Sequence, residues 1–452
     1  YEEKNKLMKV SLIALRPKYS SYGLFSIAPL GLLYLGTILQ QEGHDVVVFD
    51  EERSHIYKPD GNINPEILAS DFTGISVISP TADKALELLH KLKIQRSNIR
   101  TAVGGPHVLG DEQAEKFAKY ADAVVQCEAE NVISEVVKGN MHGIIRGSFV
   151  QNLDVLPVPD FNLLRYTKRK YLDFFKLTPI SSTRGCPRNC EFCTVSNIHG
   201  KVVRRRSVNL VVDELRQRVE QGYKRIFFVD DNFSVQPSKR IPLLEAMIEE
   251  REKGRWFDSI IIQDEVPAIL KGGDSYVKLL QAAGVKTVML GVESFDEGKL
   301  KALNKSHKFG DSEKAIRLLH SNGLIIYAFG MASPELDNEK SIKKQFDILK
   351  KEGVSYADMT IETPVPGTAY WEKWKRNLIA TKNGEPDWDK WTFLSAVIPP
   401  KYMSPEKFEK TVSKNMQTFY SIPRALKYLL KGKIRKALTI LYVWYLSGRM
   451  YG

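Results

Sequence analysis

The chain has 452 residues, 43% hydrophobic and 27% charged, a globular composition that excludes a fibre or a wholly disordered chain. At roughly 150 residues per domain it holds about three domains. The 66 Lys and Arg against 54 Asp and Glu give a net charge of +12, which favours anionic partners such as nucleic acid, an anionic membrane surface or phosphorylated molecules, without choosing among them. Its 4 cysteines are too few for a disulfide framework, and clustered thiols point instead to a metal or redox site in a reducing compartment. Residues 1–7 are polar and show no secretory pattern, so the expected compartment is the cytoplasm.

Between residues 8 and 139 short β-branched runs alternate with helical stretches. The runs "KVSLIAL" (9–15), "HDVVVFD" (44–50), "FTGISVIS" (72–79), "IRTAVGG" (99–105) and "DAVVQC" (122–127) predict strands. Segments such as "PLGLLYLGTILQQEG" and "DKALELLHKLKIQ" predict the helices between them. The alternation predicts a doubly wound parallel sheet, flavodoxin- or Rossmann-like, over residues 1–149. Ligands of such sheets bind beyond the carboxyl ends of the strands, here residues 16–25, 50–53, 79–81, 104–107 and 127–130.

Residues 150–178 contain prolines and no clean period, so they read as a linker. A second βα series follows, with strands predicted at 179–185, 225–231, 259–265, 287–294, 324–332 and 357–365. Six repeats are fewer than the eight of a closed barrel, which predicts a partial (β/α)6 TIM barrel over 179–372. Residues 373–452 predict a small, mainly helical C-terminal domain. From Ile422 onward it holds many Lys and Arg and no acid, with one apolar run of nine residues at 438–446. A membrane span needs ~20 residues. The tail therefore reads either as a helix docked on the protein's own core, or as one lying peripherally on the inner face of a membrane with Tyr442, Trp444 and Tyr445 at the interface.

Three of the cysteines fall within "RGCPRNCEFCTVSN" as Cys186, Cys190 and Cys193, directly after the first strand of the second series. A closed structural zinc site takes four protein ligands; His199 is available as the fourth, at a spacing that does not suit a common finger. Packing as small hydrophobes fits poorly with the polar Arg188, Asn189 and Glu191 between them, and disulfide chemistry needs only a pair. The remaining chemistry is an iron-sulfur cluster with one iron left open to a reacting ligand.

"CPRNCEFC" resembles the cysteine motif of the radical S-adenosylmethionine superfamily. That resemblance implies a four-iron four-sulfur cluster on the three thiolates, S-adenosylmethionine on the fourth iron, and a 5'-deoxyadenosyl radical that abstracts hydrogen from substrate. Further segments resemble the family's cofactor-binding stretches and imply contacts to S-adenosylmethionine from Phe192, from Asp230 and Asp231 in "FVDDNF", from Glu293 and Ser294 in "LGVES", and from Gly330 in "AFGMASPE". Gln263 and Asp264 are weaker candidates at the end of the third strand. "TPVPGTAYW" resembles the segment closing the sixth strand. Arg204 to Arg206 read either as partners of the cofactor carboxylate or the cluster loop, or as a solvated run.

A doubly wound domain ahead of such a barrel resembles the cobalamin-binding members of the superfamily, most of them methyltransferases. The resemblance implies cobalamin, with Tyr22, Ser79, Thr81, Gly104, Gly105, His107 and Glu128 as its contacts. The loop after the first strand has no Asp-x-His-x-x-Gly, so it supplies no lower ligand to cobalt. Where the family often has Gly-Glu-Gly-Glu this chain reads "CEAE", so Cys127 and Ala129 replace the two glycines; Cys127 reads as a small buried residue. The implied function is methyl transfer to an unactivated carbon of a hydrophobic substrate, such as a lipid, isoprenoid or tetrapyrrole. Ring or carbon–carbon bond formation is the alternative, with cobalamin non-methylating or absent, and RNA or protein modification is a further one. An electron donor such as flavodoxin or ferredoxin is implied, and no nucleic-acid partner is expected. No catalytic residue is singled out.

Overall fold

The computed structural model describes residues 7–18, 26–167, 176–254 and 256–450. Seven strands come first along the chain: β1 (Lys9–Ala14), β2 (Ser26–Ile27), β3 (Asp45–Asp50), β4 (Phe72–Ser76), β5 (Arg100–Gly104), β6 (Ala123–Gln126) and β7 (Gly143–Arg146). All but β2 form one parallel sheet in the order β3-β1-β4-β5-β6-β7. Alternate residues serve its two covered faces: Ile13, Phe49, Ile75 and Val103 enter one apolar layer, and Leu12, Val48, Phe72 and Ala102 the other. Covering both faces explains why these strands read as nearly unbroken apolar runs. The predicted strands are all present. The further strand β7 escaped prediction because "GIIR" is too short to show a period.

The second sheet contains β8 (Lys176–Ile180), then, beyond the two-residue antiparallel pair β9 (Thr183–Arg184) and β10 (Arg204–Arg205), the strands β11 (Arg225–Phe228), β12 (Ser259–Glu265), β13 (Val285–Glu293), β14 (Ile325–Ala332) and β15 (Tyr356–Ile361). Its order is β15-β14-β13-β12-β11-β8-β2, the expected open six-strand barrel with β2 added at the edge beside β8. β2 comes from between β1 and β3, so the first unit supplies a strand to the second. Leu177, Phe227, Ile261, Met289 and Tyr327 fill the barrel interior, while Ile226, Phe228, Ile260 and Ile262 face the surrounding helices. With its interior packed, the barrel offers room only at the carboxyl ends of its strands.

The aromatic stretch after β15 is core to the first sheet. Trp371, Trp388, Trp391, Val397 and Ile398 join the same apolar layer as Ile13 and Val103, with Trp371 and Trp388 stacked at 5.7 Å and the Trp391 ring tilted against Trp388 at 4.7 Å. This stretch ties the two sheets together. The helices Pro405–Phe419, Ile422–Leu430 and Ile434–Met450 follow. The first packs against β15 and the helix Glu339–Lys351, and the Tyr420 hydroxyl accepts from Ala357 N at 2.8 Å and donates to Ala357 O at 2.7 Å.

Candidate active site

Cys186, Cys190 and Cys193 lie on the loop between β9 and β10. Gly185 sets its entry with φ of 95°, and a Cβ there would run into the Val202 carbonyl oxygen, so glycine is required just before the first cysteine. Arg188, between the first two cysteines, donates through Nε to both carboxylate oxygens of Glu265 at 3.1 and 2.8 Å. The end of β12 thereby anchors the loop. Burial raises all three thiols, Cys193 to about 11, so binding a metal must release their protons.

The three cysteines line one cavity of about 640 Å³ at the carboxyl ends of the barrel strands. Among the described residues no three His, Cys, Asp or Glu side chains converge on a point that would hold one ion. Three thiols facing one cavity fit the donor set of a cluster with one iron left open. His199 is engaged elsewhere, its Nδ1 at 2.9 Å from Glu128 Oε1.

Glu293 reaches this cavity through a bulge. The β13–β14 register shifts between Gly291 and Glu293, and Glu293 takes φ of 57°, a conformation held at some cost in a non-glycine residue. Lys305 Nζ pairs with Glu293 Oε1 at 2.8 Å and lies 5.4 Å from the centre of the Phe192 ring. Burial opposes its charge, yet Glu293 and Cys190 hold its pKa above the usual lysine value. Lys305 was missed by sequence reasoning because it sits in a loop beyond any motif. Asp231 lines the cavity and accepts from Gly185 N at 2.9 Å. Asp264 lines it too, its carboxyl pushed by burial up to about 7 and its Oδ2 without a hydrogen-bond partner. An apolar wall of Met289, Phe329, Met331, Val365, Trp391 and Phe393 completes the barrel side.

Three expected cofactor contacts fall elsewhere. Asp230 is fully buried and accepts from Ser182 N at 2.7 Å, Thr183 N at 3.1 Å and Arg240 Nη2 at 3.0 Å, so it fixes the base of the cysteine loop. Ser294 is buried outside the cavity, with Oγ accepting from Asp296 N at 3.0 Å. Gly330 faces away, because a Cβ there would lie 2.9 Å from Met359 Cε; strand alternation turns its neighbours Phe329 and Met331 inward instead.

The first sheet supplies the opposite wall through Pro17, Ile78, Ser79, Pro80 and Pro106. Of the expected cobalamin contacts only Ser79 is among them, and Tyr22 lies outside the described residues. Thr81 caps its own turn, its Oγ1 accepting from Ile78 N at 3.2 Å. Gly104 ends β5 with the Val125 carbonyl 3.5 Å from a would-be Cβ, and Gly105, at φ of 103°, would place a Cβ 2.7 Å from Val77 O. Gly105 thus lets two loops touch. His107 is buried edge-on between Phe117 and Trp388, at 5.8 and 4.5 Å, with Nδ1 3.2 Å from Ser79 Oγ. Burial lowers its pKa to about 3, and it is a neutral brace behind the wall. Glu128 is buried against Arg204 and His199 and also faces away. Cys127, at φ of 66°, keeps the backbone conformation that suits glycine.

Residues 180–341 match the radical SAM superfamily and residues 24–137 the B12 binding domain, together more than half of the chain. An uncharacterized methyltransferase of Pyrococcus horikoshii is 28% identical, over 92% of this chain and 94% of that protein. The bacteriochlorophyllide d C-12(1)-methyltransferase of Chlorobaculum tepidum is 26% identical, over 93% of this chain and 87% of its own length. Among solved structures, the radical S-adenosylmethionine methyltransferase TsrM of Kitasatospora setae, with cobalamin and a cluster bound, shares the fold with a TM-score of 0.62 at 16% identity, over 90% of this chain and 85% of that one.

Proposed function

We propose that this chain, which belongs to the cobalamin-binding branch of the radical S-adenosylmethionine superfamily, methylates an unactivated carbon of a hydrophobic substrate. It is a radical enzyme whose cofactors are a four-iron four-sulfur cluster, S-adenosylmethionine and cobalamin. When bound, these groups supply hydrogen-atom abstraction and a transferable methyl group. Cys186, Cys190 and Cys193 would hold the cluster. Glu293, Lys305 and Asp231 would orient the polar part of S-adenosylmethionine, with Phe192 beside them. Pro17, Ile78, Ser79 and Pro106 would meet cobalamin from the opposite wall.

The observation that carries the reading is the shared cavity, in which three thiols, an acid–lysine pair and a mainly apolar wall face a wall from the first sheet. Met289, Phe329, Met331 and Phe393 offer a substrate dispersion contacts and exclude water, which supports a hydrophobic substrate class over a polar one. The overall exchange replaces a substrate C–H bond by C–CH3, and an electron carrier such as flavodoxin or ferredoxin supplies reducing equivalents. Reconstituted protein given S-adenosylmethionine, reductant and lipid or tetrapyrrole fractions should yield S-adenosylhomocysteine and 5'-deoxyadenosine together with a product heavier by one CH2 unit. A ring-closed product with no gained carbon would assign bond formation instead.

A further inference from the structure

We propose that the hairpin of helices Ile422–Leu430 and Ile434–Met450 docks the enzyme on the surface of an anionic lipid bilayer. Its inner face is pinned to the barrel. Ala425, Ala437, Ile440 and Val443 are buried, Lys436 Nζ reaches Ser355 Oγ at 2.6 Å, and Arg424 Nη2 reaches Ser355 O at 3.3 Å. The outer face is apolar. Leu426, Leu429 and Leu430 on the first helix are 52%, 48% and 89% exposed, and Ile434, Leu438 and Leu441 on the second 57%, 59% and 37%. Both sets follow the three- and four-residue steps of one helix stripe, and both stripes point away from the barrel. A contiguous apolar ridge of this kind marks a contact surface.

Charge decides the occupant. The chain carries no acidic residue from Ile422 onward, and Lys427, Lys431 and Lys433 stand exposed beside the ridge. A second copy would bring like charge against like, whereas anionic head groups complement the lysines while the leucines enter the acyl boundary. No helix of the described residues is long and apolar enough to cross a membrane, so the contact lies in the plane of the bilayer. This surface stands apart from the catalytic reading, since vesicle binding is measured without turnover.

The test is flotation of the full-length, cluster-reconstituted protein with phosphatidylglycerol-containing vesicles and with neutral phosphatidylcholine vesicles. Binding should be roughly tenfold or more stronger to the anionic vesicles and weaken with salt. The exposed double variant Leu430→Glu with Leu438→Glu should lose it, with unchanged cluster absorbance and thermal unfolding. Lys431→Gln with Lys433→Gln should weaken it without removing the apolar face. The proposal is overturned if the wild-type protein leaves both kinds of vesicle unbound, or if it forms a dimer that the leucine variant dissociates.

Discussion

Arg204 grips Glu128 through both guanidinium nitrogens, Nη1 to Oε2 at 2.9 Å and Nη2 to Oε1 at 2.6 Å, across the junction between the two sheets. Val150 N donates to the same carboxylate at 2.6 Å. The carboxylate belongs to the loop after β6 and the guanidinium to β10, which closes the cysteine loop. A residue expected to touch cobalamin therefore holds the two walls of the cavity at a fixed separation.

Glu128→Gln leaves Arg204 buried with an unmatched charge, while Arg184 keeps Glu130 at 2.6 Å, and it should destabilise the protein by about 3 kcal/mol near neutral pH, read as a fall in melting temperature. Burial works against the charge of Glu128, but Arg204 and His199 hold its carboxyl well below the ordinary 4.5. Its contribution is then fully present above pH 4.5 and lost as pH falls toward the folded value. The variant should show a flatter acid limb than the wild type between those values.

Lys305→Met removes the cation between Glu293 and the thiols. Charge-assisted contacts of this kind support a roughly tenfold to hundredfold loss of S-adenosylmethionine affinity, measured by equilibrium binding, with iron content unchanged.

Asp264 behaves in the opposite sense to Glu128. Burial lifts its carboxyl from 3.8 to about 7, so the folded state retains a proton that the unfolded chain releases. Stability from this group is fully present below 3.8 and is lost as pH rises toward 7. Asp264→Asn should therefore gain on the wild type as pH rises from 5 to 8, by on the order of 2 kcal/mol, seen in thermal unfolding across that range.

His107→Ala leaves a void beside Phe117 and Trp388 and should cost about 2 kcal/mol. The visible and electron paramagnetic resonance spectra of bound corrinoid should stay unchanged, because the ring lies behind the wall. A lost nitrogen splitting would make it a cobalt ligand after all.

The two sheets were legible because buried parallel strands write themselves as short β-branched runs. The cysteine loop was legible as a metal or redox site because three of the four cysteines fall within residues 186–193, and its resemblance to the superfamily's motif is what implies the cluster. Individual contacts were less so. Asp230 and Asp231 are adjacent and chemically identical, and only the surrounding donors Ser182, Thr183 and Arg240 tell the buried anchor from the cavity residue. Gly105 and Gly330 looked like openings for ligands, whereas each makes room for the protein itself, at Val77 and Met359. Lys305 carries no local signal, since it reaches the cavity from a loop outside any motif, whereas Pro17 and Pro106 fall within the strand-end segments 16–25 and 104–107. Of the tail's two readings, docking on the protein's own core holds for the inner face of the hairpin, where Ala425, Ala437, Ile440 and Val443 are buried; the membrane reading is what we propose for the outer face.

The most direct test follows S-adenosylmethionine consumption by reconstituted, corrinoid-loaded protein under anaerobic reduction. The wild type should release 5'-deoxyadenosine, whereas the variant with Cys186, Cys190 and Cys193 all changed to Ala should release none while still retaining its corrinoid spectrum. Formation of 5'-deoxyadenosine by the triple variant would contradict the assignment of these three thiols to the cluster.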